Sequence, residues 1–245
     1  MTADFSAPET LAAAFAIALA GGIVRGITGF GGALVMTPPL ALLTSPSLAV
    51  PVVLLLESVA AAPMLVQTRR SVRWRAIAPI LVAACATLPI GGHILVSADP
   101  HSLRRGIAAV VILFALLLLR GWRYTGAQRL GSSIGIGALS GVMLGATSLG
   151  GPPVILYLLS GPDSIATTRA NLTLFVAASS LAAIAMLWTR NVFDSQALWT
   201  GLLLTPAYYG GLAAGTRAFS RFDDVRFRRL TLLLLVVVST WVLIA

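Results

Sequence analysis

The chain has 245 residues, 58% of them hydrophobic and only 10% charged, with a formal net charge of +9. A soluble domain of this length would carry about 25% charged residues, so a water-exposed surface over most of the chain is excluded. All 17 basic residues are arginines set in short clusters between long apolar runs, which speaks for cytoplasmic loops of a membrane protein rather than a nucleic-acid surface.

The first apolar segment covers 11–28. Asp4 and Glu9 precede its centre and no basic residue comes before Arg25. A cleaved signal peptide begins with positive charge, so 9–28 is expected in the mature protein. The segment ends in GITGFGG (26–32) and leads into a short apolar segment, 31–43, punctuated by Pro38-Pro39 and Ser45-Pro46, since proline breaks or starts helices. Segments 47–68, 76–97 and 103–119 follow, each within the about 17–25 residues that cross a bilayer. Cys85 is the only cysteine, so there is no disulfide framework.

The same order then returns. Segment 131–147 ends in GATSLGG (145–151), a short segment 151–160 carries Pro152-Pro153, and Gly161-Pro162 precedes the longer segments 165–188, 196–218 and 229–245. A shift of 119 lays Gly22, Gly26, Thr28, Gly31 and Gly32 on Gly141, Gly145, Thr147, Gly150 and Gly151, and Gly91-Gly92 on Gly210-Gly211. The chain therefore reads as a single transport domain, 1–245, made of internal repeats 9–120 and 131–245.

Arginine placement discriminates between two orientations of the repeats. With eight full spans the copies are parallel, and arginines 69, 70, 73, 75, 120, 123, 129 and 190 face seven others across the membrane. With each glycine motif as the tip of a re-entrant hairpin, each copy has three spans and the copies are inverted. Only Arg104, Arg105 and Arg190 then oppose twelve, as the excess of cytoplasmic positive charge requires. The expected fold is an all-α polytopic membrane protein of two inverted repeats, each a helix-breaking glycine-motif hairpin plus three transmembrane helices, with about eight membrane-inserted helices in all. Segment 11–28 alone would stretch ~27 Å, however, nearly the hydrocarbon thickness.

Irregular backbone at membrane depth survives only inside protein or beside a polar cavity. Gly31-Gly32 and Gly150-Gly151 each precede a short helix, and their own backbone N–H groups, with no intrahelical partner, would form an anion-binding cup aided by the helix dipole. Thr28, Thr147 and Ser148 could add hydroxyl donors around Gly29 and Phe30. The outer glycines, at GxxxG spacing, read as close helix packing. Glu57, midway along 47–68, either carries a coupling proton or pairs with Arg25; Arg25 either binds the anion or partners Glu57. Asn171 and Arg169 are placed to face the second glycine motif. His93 reads as a packed histidine or a proton relay, and Trp122, Trp188 and Trp199 as interfacial anchors.

GITGFGGALVMTPPLALL and GATSLGGPPVILYLLSG resemble the two signature segments of the TauE/SafE (TSUP) membrane permeases. The resemblance extends over essentially the whole chain. It implies transport of sulfur-containing anions such as sulfite, sulfoacetate and other organosulfonates across a bacterial cytoplasmic membrane, and nothing in the sequence selects among them. No cofactor is expected, and no enzyme motif such as HExxH or GxSxG occurs. The partners are a small anion, coupled or not to protons, and membrane lipid. The rival readings are a divalent metal-ion permease and a non-transporting membrane subunit.

Overall fold

The computed structural model describes residues 8–122, 124, 126, 128–219 and 239–240. Apart from Ser239 and Thr240, the expected last segment, 229–245, lies outside the described residues, as do Arg123, Arg221 and Arg226. Among the described residues the protein is entirely helical.

Local chemistry sets most helix limits. α1 (Pro8–Thr28) and α2 (Gly32–Leu43) are parted by the first glycine motif; α3 (Pro46–Thr68) starts on Ser45, whose hydroxyl accepts the Leu48 N–H. After a single 3₁₀ turn, Arg69–Ser71, come α4 (Trp74–Ser97) and α5 (Pro100–Leu119). Asp99 caps α5 by accepting the Ser102 N–H at 2.9 Å, a bond that holds its carboxyl below the usual range. α6 (Leu130–Thr147) and α7 (Gly151–Leu158) flank the second motif. α8 (Ile165–Thr189) begins on Ser164, and α9 (Ser195–Phe219) on Asp194, which accepts the Ala197 N–H at 2.8 Å. Side-chain oxygens thus meet otherwise unpaired first-turn donors.

Proline punctuates less than its chemistry suggests. Pro38 and Pro39 lie inside α2, and Pro51, Pro63, Pro79, Pro89 and Pro206 lie inside longer helices. In a membrane protein neighbouring helices can compensate for backbone groups that proline leaves open. Among the described residues six helices are long and apolar enough to cross a membrane: Pro8–Thr28, Pro46–Val66, Trp74–Ser97, Pro100–Leu119, Leu130–Thr147 and Ala166–Thr189. α9 has 25 residues and the reach to do so. The protein is a multi-pass membrane protein. Its outward apolar side chains, such as Val82, Leu113 and Leu181, are exposed as lipid-facing residues should be, and Trp74, Trp122, Trp188 and Trp199 are exposed near helix ends.

Helix pairing decides where the motifs end up. α1 packs on α9, and α4 on α6, through glycines that bring backbones together. A Cβ on Gly22 or Gly26 would strike the carbonyls of Tyr208 or Leu212; on Gly211 or Gly215 it would strike those of Leu19 or Ile23. Numbers rise together on the two helices, so α1 and α9 run in the same direction. Gly137, Gly141 and Gly145 meet the carbonyls of Ile80, Ala84 and Leu88 in the same way, so α4 and α6 are also parallel. This is close packing of the GxxxG kind. α3 and α8 instead run in opposite directions. Arg73, just past the end of α3, pairs with Asp163 before α8 and donates its backbone N–H to Asn171 Oδ1 at 2.8 Å. At the other end Ser45 and Ser47 share a cavity with Asn191 and Asp194.

These pairings sort the described arginines. Arg69, Arg70, Arg73, Arg75, Arg120, Arg129 and Arg217 gather at one end, where α3 finishes and α4 and α6 begin. Arg104, Arg105 and Arg190 lie at the opposite end, where Arg104 Nη2 donates to the Thr44 carbonyl at 2.9 Å and holds the end of α2. Arg25 is buried, and Arg169 is half-buried on α8.

Candidate functional site

Each glycine motif turns the chain sharply and sends a short helix back along the one before it. The two threonines end α1 and α6 by the same bonds. Thr28 Oγ1 donates to the Val24 carbonyl at 2.8 Å and accepts the Phe30 N–H at 3.3 Å; Thr147 Oγ1 donates to the Met143 carbonyl at 2.6 Å and accepts the Leu149 N–H at 3.3 Å. A hydroxyl has one proton to give; the Val24 and Phe30 carbonyls both lie within reach of Thr28 Oγ1, and the Met143 carbonyl takes the proton of Thr147. The residue after each threonine is left-handed, Gly29 at φ 77° and Ser148 at φ 61°. Gly31 is left-handed too, at φ 87°, a conformation that costs a residue with a side chain about 1–2 kcal/mol. Ser148 Oγ lies 2.7 Å from Thr37 Oγ1 and so ties the second tip to α2.

The tips meet at a small cavity of ≈30 Å³. Of the residues expected at the site, Arg25, Phe30, Gly31, Glu57, Ser148 and Gly151 line it. Thr28, Gly29, Gly32, Thr147 and Gly150 shape the tips without lining it. Asn171 is elsewhere: it is fully buried against the Arg73 N–H. Arg169 lies against the first tip rather than the second, since a Cβ on Gly29 would come within 2.8 Å of its Nε. His93 is exposed on α4, away from the cavity.

The electrostatic centre is a buried pair. Arg25 Nη1 lies 3.0 Å from Glu57 Oε2, and Tyr208 donates its hydroxyl to Glu57 Oε1 at 2.8 Å. Arg25 is 1% exposed and Glu57 4%. Nε and Nη2 of Arg25 are buried without a hydrogen-bond partner. Buried donors of this kind favour a polar partner.

The tips differ in what faces them. A Cβ on Gly32 would collide with Glu57 Oε1 and lie 2.6 Å from the Tyr208 hydroxyl. Glycine is therefore required there to admit the carboxylate beside the start of α2. At Gly151 the direction a Cβ would take is open, with no atom within 4 Å. α8 adds Ser179 and Ser180 to the cavity wall. Sequence reasoning missed these serines, Thr37 and the role of Tyr208; the adjacent serines in an apolar helix were the one available signal.

Two wider cavities flank this centre. At the opposite end one of ≈450 Å³ is lined by Ser47, Asn191, Asp194 and Gln196 among others. At the arginine-rich end one of ≈690 Å³ is lined by Arg169, Thr173, Tyr209, Thr216 and Arg217 among others. Among the described residues no three His, Cys, Asp or Glu side chains are grouped so as to hold a metal ion.

Comparison with known proteins adds a family. The family model described as sulfite exporter TauE/SafE matches residues 14–242. Among curated proteins and solved structures no match is found. The family match takes in both glycine tips, the Arg25–Glu57 pair and the helices that hold them, and the chain belongs to the sulfite exporter TauE/SafE family.

Proposed function

We propose that the chain is a secondary transporter that carries small sulfur-containing anions, sulfite or organosulfonates such as sulfoacetate, across the bacterial inner membrane by alternating access. The observation that carries this reading is the unpaired half of the Arg25 guanidinium, buried in the cavity that both tips line. A sulfite or sulfonate oxygen would accept from Nε and Nη2, in the charge-assisted geometry that guanidinium groups favour. The open space at Gly151 lets the anion approach the start of α7, where the Gly151 N–H and the helix dipole favour negative charge, Pro152 and Pro153 having no N–H to offer. Ser148, Ser179 and Ser180 supply the polar wall.

The repeats 9–120 and 131–245 are inverted in this account. In support, α3 and α8 correspond under the shift of 119 and are antiparallel neighbours; parallel repeats would make them run the same way. The shift also turns the α1–α9 pairing into the α6–α4 pairing. The arginine-rich end is cytoplasmic by the positive-inside rule. α1–α2 and α6–α7 are then the two hairpins, entering from opposite sides with their tips together, as broken helices do in transporters built of inverted repeats. Glu57 is the coupling group: when a second anion reaches Arg25, a proton on the carboxylate removes the like-charge repulsion.

The test is uptake by liposomes containing the purified protein. Labelled sulfite, sulfoacetate, taurine and a divalent cation are offered in turn, with internal and external pH varied. Accumulation of a sulfur oxyanion is expected; uptake of the cation alone would support the metal-permease reading instead.

A further inference from the structure

The central cavity is walled by positions that correspond across the repeat. Under the shift of 119, Arg25, Phe30 and Glu57 fall on Leu144, Leu149 and Val176, and all six line it. The two halves match in position but not in chemistry. Both charges come from the first copy, where the second has Leu144 and Val176. Conversely, Ser179 and Ser180 of α8 line the cavity where the first copy has Ala60 and Ala61. An anion held by Arg25 therefore shares its cavity with a neutral wall of hydroxyls.

Those hydroxyls differ in what they can give, since each has one proton. Ser148 Oγ donates to the Thr147 carbonyl, which leaves Thr37 Oγ1 to donate to Ser148. Ser179 Oγ donates to the Phe175 carbonyl, one turn back on its own helix. Such back-bonding is open to any helical serine, and Ser58 and Ser97 do the same. Ser180 does not. It is 1% exposed, and among the described residues its Oγ has no hydrogen-bond partner. Its proton is the one that the wall has free.

The first copy supplies the other free donors. Nε and Nη2 share one edge of the Arg25 guanidinium, and neither has a partner. Such an edge binds two oxygens of one acid group side by side. A carboxylate then has no oxygen left over, whereas the pyramidal head of sulfite or a sulfonate has a third. A cavity of ≈30 Å³ brings all these donors onto one small group.

We propose that Ser180 donates its hydroxyl to that third oxygen, and so sets the preference of the central site for three-oxygen sulfur heads over carboxylates. The assignment rests on the central cavity being the transport site.

Equilibrium dialysis of labelled sulfite against the purified full-length protein in neutral detergent tests this, with acetate as the competing two-oxygen acid. Ser180→Ala should weaken sulfite about tenfold or more, the scale of a hydrogen bond to a charged group, and acetate by less than about twofold. Ser180→Thr keeps the hydroxyl and should restore most of the loss; Ser180→Cys, a weaker donor, should fall between them. Ser179→Ala should cost less than Ser180→Ala, because the Ser179 proton stays within the helix. Thermal unfolding of each variant separates lost binding from lost fold. Sulfite bound by the native protein and lost in Arg25→Gln, yet held at native strength by a folded Ser180→Ala, would overturn the assignment of Ser180 alone. Equal losses of sulfite and acetate in Ser180→Ala would also overturn it, since Ser180 would then shape the cavity rather than meet a third oxygen. A native protein that binds no sulfite would overturn the functional reading, and this assignment with it.

Discussion

At the scale of residues, the account turns on Arg25, Glu57 and Tyr208. Breaking a buried ion pair strands a charge and typically costs about 3–5 kcal/mol, so Arg25→Gln and Glu57→Gln should each lower the unfolding temperature in detergent. The double variant should recover much of that loss, as a pair of neutral groups needs no counter-charge. Transport should not recover with it, because the anion's donors are gone. A double variant with full transport would remove both residues from the mechanism. Glu57→Gln alone should also abolish the dependence of sulfite uptake on pH, measured as initial rate across a pH series. The pair was half legible in the sequence: a carboxylate and a guanidinium in apolar segments invite a partner. Tyr208, far along the chain from Glu57, could not be found by spacing. The threonines teach the reverse lesson. Their duplication beside glycine pairs suggested anion donors, yet each hydroxyl faces backbone carbonyls of its own turn. A local backbone partner four residues back was always available to them.

At the scale of elements, the helix breaks were legible and the helices' neighbours were not. Glycine pairs, prolines and small polar caps are local signals, so the breaks at 29–31 and 148–150 fall where the sequence puts them. Which helix lies against which depends on shape at each contact, and only coordinates give it. Gly210 and Gly211 make the point, being indistinguishable in the sequence. A Cβ on Gly211 would strike the Leu19 carbonyl, whereas Gly210 faces nothing within 4 Å. Gly211→Ala should therefore destabilise by about 1–3 kcal/mol through overpacking. Gly210→Ala should be neutral or stabilise by about 0.5–1 kcal/mol through helix propensity. Thermal unfolding of the two proteins checks this, and equal shifts would contradict the parallel α1–α9 contact. Arg169 and Asn171 were placed by sequence at the second motif, because both lie soon after it. The antiparallel run of α8 along α3 carries Arg169 to the first tip and Asn171 to Arg73 instead.

At the scale of the whole molecule, orientation and alternating access stand together. In a protein with Cys85→Ala, a membrane-impermeant thiol reagent added outside whole cells should label His101→Cys and leave Ser71→Cys untouched, and equal labelling would contradict the proposed orientation of the ends. The membrane class was legible from composition alone, and the family from the two motifs. The meeting of the motifs was not, since it depends on α1 leaving its own half to pack on α9. Alternating access requires both tips to close on one anion, so the space at Gly151 is where the central claim is most exposed. A Cβ there touches no other atom, and leucine at this cavity-lining position would occupy more of the open space. The decisive measurement is the initial rate of labelled-sulfite uptake by liposomes carrying native, Gly151→Ala or Gly151→Leu protein at matched amounts of folded protein. The account predicts a rate that falls at least about tenfold from native to Gly151→Leu, the equivalent of 1.4 kcal/mol or more in the barrier, with Gly151→Ala between them and all three equally stable. Native-rate uptake by a folded Gly151→Leu protein would contradict it.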